Sequence, residues 1–276
     1  MIIKQLNYKI LYKTLSIILI TVFCAAYTNA HYLFIRLDKY YLTKNSILVA
    51  RFMNGNFSSS EKAIAHNRFH YISLVTPNNN LKHLDSIEWR DDKTASAVEL
   101  QPSEIRTYVI GASLHPKEIT LMADRFNYYL EHDGIPDTLA EREKNNELNK
   151  NAHEKYSKHV KAIFQVGDKH TDNFKTPLNY PVEIIPLQNP YLLQVGQTLE
   201  VQCLLEGKPI ANQFVLIGYE DIQEETSVRT NENGITQFTL KKAGKCYIKM
   251  IHMTKLNNSI FDYESKWATL TFELKN

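Results

Sequence analysis

Apolar and polar positions alternate in short runs over most of this chain. Tyr32–Leu37, Ile47–Met53, Phe69–Val75, Ile87–Arg90, Ala97–Gln101, Ile105–Ala112 and Ile119–Leu121 are rich in aromatic and β-branched residues. Turn formers separate them: Asn54-Gly55-Asn56, Ser58-Ser59-Ser60, Pro77-Asn78-Asn79-Asn80 and Asp91-Asp92. Such a rhythm predicts strands of an antiparallel sandwich rather than a parallel sheet alternating with helices. After Pro181, Pro186 and Pro190 it resumes in Leu199–Glu206, Gln213–Tyr219, Ser227–Thr230, Ile235–Leu240, Lys245–His252 and Trp267–Leu274. Asn233-Gly234 is a hairpin signal, because both residues tolerate positive φ.

One stretch reads differently. From Pro136 to about Val166 there is no further glycine or proline, and Leu148, Ala152, Tyr156, Val160 and Ile163 recur at helical spacing. The expectation is a long helix over about 136–166, docked on the first sandwich. Gly167–Tyr180 is polar at its start and reads as a connector. The organisation expected is therefore mainly β: an N-terminal β-rich domain over 31–167 carrying that helix, a linker over 168–180, and a C-terminal sandwich over 181–276. The C-terminal part reads as immunoglobulin-like or transthyretin-like.

The first 30 residues stand apart. Lys4, Lys9 and Lys13 precede the apolar run Leu15–Ala26, and Thr28-Asn29-Ala30 supplies small residues at a cleavage junction. This is the pattern of a secretory signal peptide over residues 1–30. Losing it removes three lysines and no acid, so the formal charge of the chain falls from +2 to about −1. No basic block interleaved with aromatics points to nucleic acid. No later apolar stretch is long enough for a membrane-spanning helix. The expected location is periplasmic, or secreted to the cell surface.

Export alters the meaning of two residue types. Cys203 shares a strand face with Leu199, Val201 and Leu205, and Cys246 shares one with Ile248 and Met250. Two inward cysteines in an oxidising compartment either form a disulfide, worth about 4 kcal/mol in the chain-entropy account, or stay as buried thiols. Cleavage after Ala30 would also make His31 the first residue. A free α-amine and the Nδ1 of the same histidine can chelate one metal ion, and His252 and Glu264 are the candidate further ligands. His252 ends a strand on an otherwise apolar face, where a polar ring needs a hydrogen bond or a metal. His66, His70, His83, His115, His153 and His170 lie in polar, loop-like contexts without paired ligand spacing, and His159 reads as a packed, hydrogen-bonded ring. Imidazole and amine donors favour Ni, Co or Cu over Ca or Mg.

Several segments in order resemble a known family. They are Ala30-His31-Tyr32-Leu33, Arg125–Glu131 with Gly134, Glu154–Ala162, Pro181–Leu187, Asn189-Pro190-Tyr191, Glu206-Gly207-Lys208-Pro209, Asn231–Gly234, Ile251-His252-Met253 and Glu264–Ala268. The family is that of exported proteins described as periplasmic components of cobalt or nickel transport systems, of the domain of unknown function 4198 type. The resemblance implies two β-domains, an exported location, divalent-metal binding, a membrane metal permease as partner and no enzyme activity. The cysteine pair is a departure from the family pattern. The residues themselves show no nucleophile elbow, phosphate-binding glycine loop or dinucleotide fingerprint. The expectation is thus a non-catalytic metal-binding protein. The alternative is an interaction module that binds protein or glycan without metal.

Overall fold

Strand β9 (Ala152–Val166) forms the centre of the molecule. A computed structural model describes residues 31–76, 78–84, 87–257 and 260–275; the expected signal peptide lies outside them. Neighbouring β9 in a ten-stranded sheet are β7 (Arg106–Leu114) on one side and β17 (Tyr263–Leu274) on the other. Beyond β7 come β4 (Phe69–Val75) and β5 (Leu81–His83); beyond β17 come β16 (Gly244–Lys255), β13 (Phe214–Tyr219) and β14 (Ile222–Arg229). Short strands β2 (Tyr41–Leu42) and β8 (Lys117–Leu121) also pair with β9. Two smaller sheets accompany this one. The first has the order β1 (Tyr32–Leu37), β3 (Leu48–Gly55), β6 (Ser96–Leu100). The second holds β10 (Val182–Pro186), β11 (Thr198–Leu205), β12 (Lys208–Pro209) and β15 (Ile235–Thr239).

Side-chain alternation shows how the sheets stack. On β9 the side chains of Val160, Ala162, Phe164 and Val166 join one core, shared with Leu33, Ile35, Ala50 and Val98 of the three-stranded sheet. Ile163 joins the other core, with Ile184, Leu199, Val201 and Phe238 of the four-stranded sheet. On β7 the split recurs, Ile110 and Ala112 facing the first core and Val109 the second. The main sheet is the middle layer of three, buried on both faces around β7, the C-terminal half of β9 and β17. Such a layer must be apolar or internally satisfied on both sides. Strand β1 is an edge, and its open carbonyls are met by the sheet beneath. Thr269 Oγ1 donates to the carbonyl of Leu33 at 2.8 Å and Thr271 Oγ1 to that of Ile35 at 2.7 Å.

The chain is mainly β, as the alternation indicates, and most of the expected strands form within a few residues of their expected ends. Ile87–Arg90 is an exception, making only the isolated bridge Trp89↔Val98. The long helix over 136–166 does not form. A short helix, α2 (Pro136–Lys144), follows α1 (Ala123–His132), and the segment then becomes strand β9. Asn146, at φ 55°, breaks the helix, as asparagine in the left-handed region can.

The connector over 168–180 is also more than a tether. Phe174, Leu178 and Tyr180 are buried in the second core. Glu183 accepts the backbone N–H groups of Leu178 and Tyr180 and pairs with the buried Lys161 ammonium at 2.7 Å. Nor does the main sheet stop at this segment. β17 pairs in parallel with β9 from Tyr263↔Glu154 to Thr271↔Ala162, joining strands from either side of the connector.

Candidate functional site

Of the expected ligands, His252 and Glu264 share one face of the main sheet. β1 begins at Tyr32, the residue after His31. The Tyr32 ring packs edge-on against Trp267 at 4.9 Å, its hydroxyl donates to the carbonyl of Asp133 at 2.9 Å, and Lys249 Nζ lies 4.1 Å over it. His252 belongs to the opposite face of β16, continuing the row Cys246, Ile248 and Met250 of the second core. It pairs with Lys266 on β17, two residues from Glu264, so all three side chains share that face.

His252 is half-buried, and its Nδ1 lies 3.0 Å from Gln213 Oε1. The Gln213 amide nitrogen donates to the carbonyls of Phe214 and Ile251, which turns Oε1 toward the ring. Nδ1 is therefore the donor and Nε2 carries the lone pair. Burial, with Lys266 nearby, pushes the imidazole pKa below its ordinary value. Glu264 is bound by lysines: Lys266 Nζ lies at 2.9 Å and Lys155 Nζ at 3.6 Å, and its carboxyl stays below the usual range through those ammonium groups despite opposing burial. The Glu264 carboxylate is thus already engaged by ammonium groups, and one of them, Lys266, stands opposite His252 in the strand register. Among the described residues no group of three or more His, Cys, Asp or Glu side chains is arranged to hold a metal ion.

Cys203 and Cys246 face one core from two different sheets, as their strand faces indicate. Both are free, buried thiols, so the bridge is not formed. Burial pushes each thiol up to about 12. His159 is the packed ring expected: Ser113 and Ser157 hydroxyls meet Nδ1 and Nε2 at 2.9 and 3.0 Å, and burial lowers its pKa to about 3.

Sequence reasoning missed a buried polar cluster on the Tyr32 face. Glu154 of β9 accepts from the Tyr129 hydroxyl of α1 at 3.3 Å and from the Ser265 hydroxyl of β17. Ser265 in turn accepts from Trp267 Nε1 at 2.8 Å, and the Tyr129 ring lies parallel to Trp267 at 5.6 Å. Lys158 Nζ sits 4.8 Å over the Trp267 ring. Burial raises the carboxyls of Glu154 and Asp133 to about 7 and lowers Lys158 to about 8. The only sequence signal was polar side chains at alternate positions, Glu154, Tyr156 and Lys158, which also suits an exposed helix face.

No curated protein matches the chain significantly. Solved structures give distant likenesses. The D0-D1 domain of intimin is 14% identical, covering 87% of this chain and 96% of that one, with a TM-score of 0.21. A DUF4785 family protein from Legionella pneumophila is 10% identical, covering 77% and 49%, at 0.24. Murine CEACAM1b is 9% identical, covering 89% and 98%, at 0.21. Among the described residues no helix is long and apolar enough to cross a membrane. A sequence-family match spans residues 28–254, most of the chain, and on it the chain belongs to the family described as Domain of unknown function (DUF4198).

Proposed function

We propose that this is an exported, non-catalytic binding protein that carries a transition-metal ion, Ni, Co or Cu, in the periplasm and delivers it to a membrane metal permease. The observation that carries the reading is the start of β1. A leader ending at Ala30 leaves His31 as the terminal residue, immediately before a strand whose first ring, Tyr32, is fixed by Trp267, Asp133 and Lys249. An α-amine and an imidazole on one residue form a chelate, so the second donor binds without a second entropic cost of association. Imidazole and amine nitrogens suit these metals. Proton competition at both nitrogens makes binding weaken on acidification. His252 and Glu264 are the weaker part of the proposed ligand set, because Lys266 already engages Glu264 and stands opposite His252.

The test is equilibrium dialysis against Ni, Co, Cu and Zn of protein beginning at His31, beside the same protein with a histidine-free N-terminal extension of several residues, long enough that His31 is neither second nor third from the new α-amine. The expected result is one ion per chain for the native terminus and a loss of at least tenfold in affinity on extension or in His31→Ala. Equal affinity in both proteins overturns the chelate. No uptake of any of the four metals leaves the interaction module, binding protein or glycan, as the better account.

A further inference from the structure

Three histidines distant from His31 in sequence meet on the outer surface of the main sheet. Strand β4 carries a bulge between Phe69 and Tyr71: Phe69 pairs with Leu114, yet Tyr71 pairs with Ser113. The extra residue interrupts strict alternation, so the consecutive rings of His70 and Tyr71 stack on each other at 3.7 Å, where a regular strand would send them to opposite faces. His115, just past β7, stacks on His70 at 4.5 Å and 28°. His83 of β5 stacks on the far side of Tyr71 at 4.2 Å. The result is an exposed ladder in the order His115, His70, Tyr71, His83.

The rings differ in how they are held. His83 Nδ1 is engaged at 3.0 Å by the hydroxyl of buried Ser73, and the Tyr71 ring separates it from His70. The backbone of His115 is pinned by Arg68: its N–H donates to the Arg68 carbonyl at 2.8 Å, and Arg68 Nη2 donates to the His115 carbonyl at 3.0 Å. Among the described residues neither ring nitrogen of His70 or His115 makes a hydrogen bond. Two adjacent, exposed imidazoles are thus presented with their nitrogens open. Bonds of about 2.0–2.1 Å from one metal ion to two imidazole nitrogens place those nitrogens about 3–4 Å apart, which two exposed rings with centroids 4.5 Å apart reach by rotating out of the stack, since the in-plane lone pairs of near-parallel rings do not converge.

We propose that His70 and His115 form a second, surface-exposed site for a divalent transition-metal ion, with Cu(II) preferred, water completing its coordination. The site is independent of the His31 chelate and stands or falls separately from it. Two protein donors and open water positions suit capture and release more than permanent storage. Cu(II) leads the divalent series for nitrogen donors, and Ni(II) and Zn(II) follow. The bulge accounts for the arrangement, since it aligns the His70 ring with His115 and Tyr71 on one side.

The experiment uses protein with a histidine-free extension of several residues before His31, which removes the terminal chelate without placing a histidine second or third from a free α-amine. Calorimetric titration with Cu(II) is compared across this parent, His70→Ala, His115→Ala, His83→Ala and His70→Phe. The expected result is one ion bound by the parent, a loss of at least tenfold in affinity for His70→Ala and for His115→Ala, and less than twofold for His83→Ala. His70→Phe keeps a stacked ring without nitrogen donors and should lose as much as His70→Ala. Superhyperfine structure from two nitrogens in the Cu(II) electron paramagnetic resonance spectrum is the matching signature. Absence of binding to the blocked parent overturns the site, as does affinity unchanged by both alanine substitutions. Retention in His70→Phe would overturn it too, since the phenyl ring supplies no donor. Loss of the His31 effect with retention of this one would reject only the chelate.

Discussion

Glu154, at the centre of the main sheet, accepts a hydrogen bond from the Tyr129 hydroxyl at 3.3 Å and so ties β9 to helix α1. The carboxyl is nearly inaccessible to water, and burial raises its pKa from 4.5 to about 7, against the opposing pull of Ser265, Tyr129 and Lys158. In the folded protein it therefore holds a proton that the unfolded chain releases at lower pH. Between about 4.5 and 7 the native state binds more protons, so this group's contribution is fully present below that window and is lost as pH rises through it. Glu154→Gln, which keeps the shape without the charge, should be more stable than wild type at pH 8, by on the order of 2–3 kcal/mol at most. The gain should vanish near pH 5. Urea unfolding at both pH values measures it; a destabilisation at pH 8 would show that the ionised carboxylate is the form the fold uses. Half-buried Asp133, raised to about 7 as well, keeps its own share of the pH dependence in the variant.

Arg142 carries a buried charge that is met by neutral acceptors rather than an acid. Its Nη2 donates to the carbonyls of Glu147 and Lys150 at 2.8 and 2.6 Å, and its Nε to Asn127 Oδ1 at 3.0 Å. The guanidinium lies 4.8 Å over the Phe126 ring. One side chain thus fixes α1 and the loop that turns α2 into β9. Arg142→Ala leaves those carbonyls without a donor in a buried place, and should cost about 3–5 kcal/mol in chemical unfolding. Arg142→Lys should recover less than half of it, because an ammonium cannot reproduce the planar fork. Hydrogen exchange should place the loss first in α1 and α2.

That loop also explains why the sequence misleads between 136 and 166. Its asparagines, Asn145, Asn146, Asn149 and Asn151, are a helix stop that the apolar spacing masked. Beyond it, β9 is buried on both faces, so apolar residues occupy odd and even positions together, and Val160 and Ile163 fit a helical period by coincidence. The charged residues Glu154, Lys158 and Lys161 made the segment look solvated, although each is buried among partners supplied by distant elements. Local alternation was enough for β3 and β11, where burial alternates along most of the strand and the turns are explicit. It also placed Cys203 and Cys246 on inward faces. The histidine ladder was not legible, because a bulge and two strand pairings bring His70, His83 and His115 together.

The thiols give a direct chemical test. With both raised to about 12 by burial, Cys203 and Cys246 should resist alkylation in the native protein at pH 8, since only the thiolate reacts. After denaturation without reductant, both should be modified. Protein exported through an oxidising compartment is the stringent sample. Mass analysis that finds neither thiol modifiable after denaturation would mean that the two sheets are bridged.

Gly111 tests whether the 168–180 segment belongs to the core. It lies on β7 opposite Lys161 of β9 and faces the second core, where Leu178 and Tyr180 press against it. A Cβ added there would clash with Leu178 Cδ1 and meet the Tyr180 hydroxyl at 3.0 Å. Both neighbours are buried, so Leu178 would have to take another rotamer in a filled space or lift the chain around it. Gly111→Ala should therefore cost about 1–3 kcal/mol by overpacking and open the segment to limited proteolysis between 168 and 180. Leu178→Ala alone should also destabilise, by about 2–4 kcal/mol, through the cavity it leaves. Together they should be less harmful than the sum of the two, because the new methyl fills part of the space that the shortened leucine vacates. A coupling of at least about 1 kcal/mol in that double-mutant cycle, with proteolysis returning toward the wild-type pattern, is the expected outcome. Strict additivity would mean that the connector does not bear on β7, and that the buried contacts of Leu178 contribute nothing to holding it there.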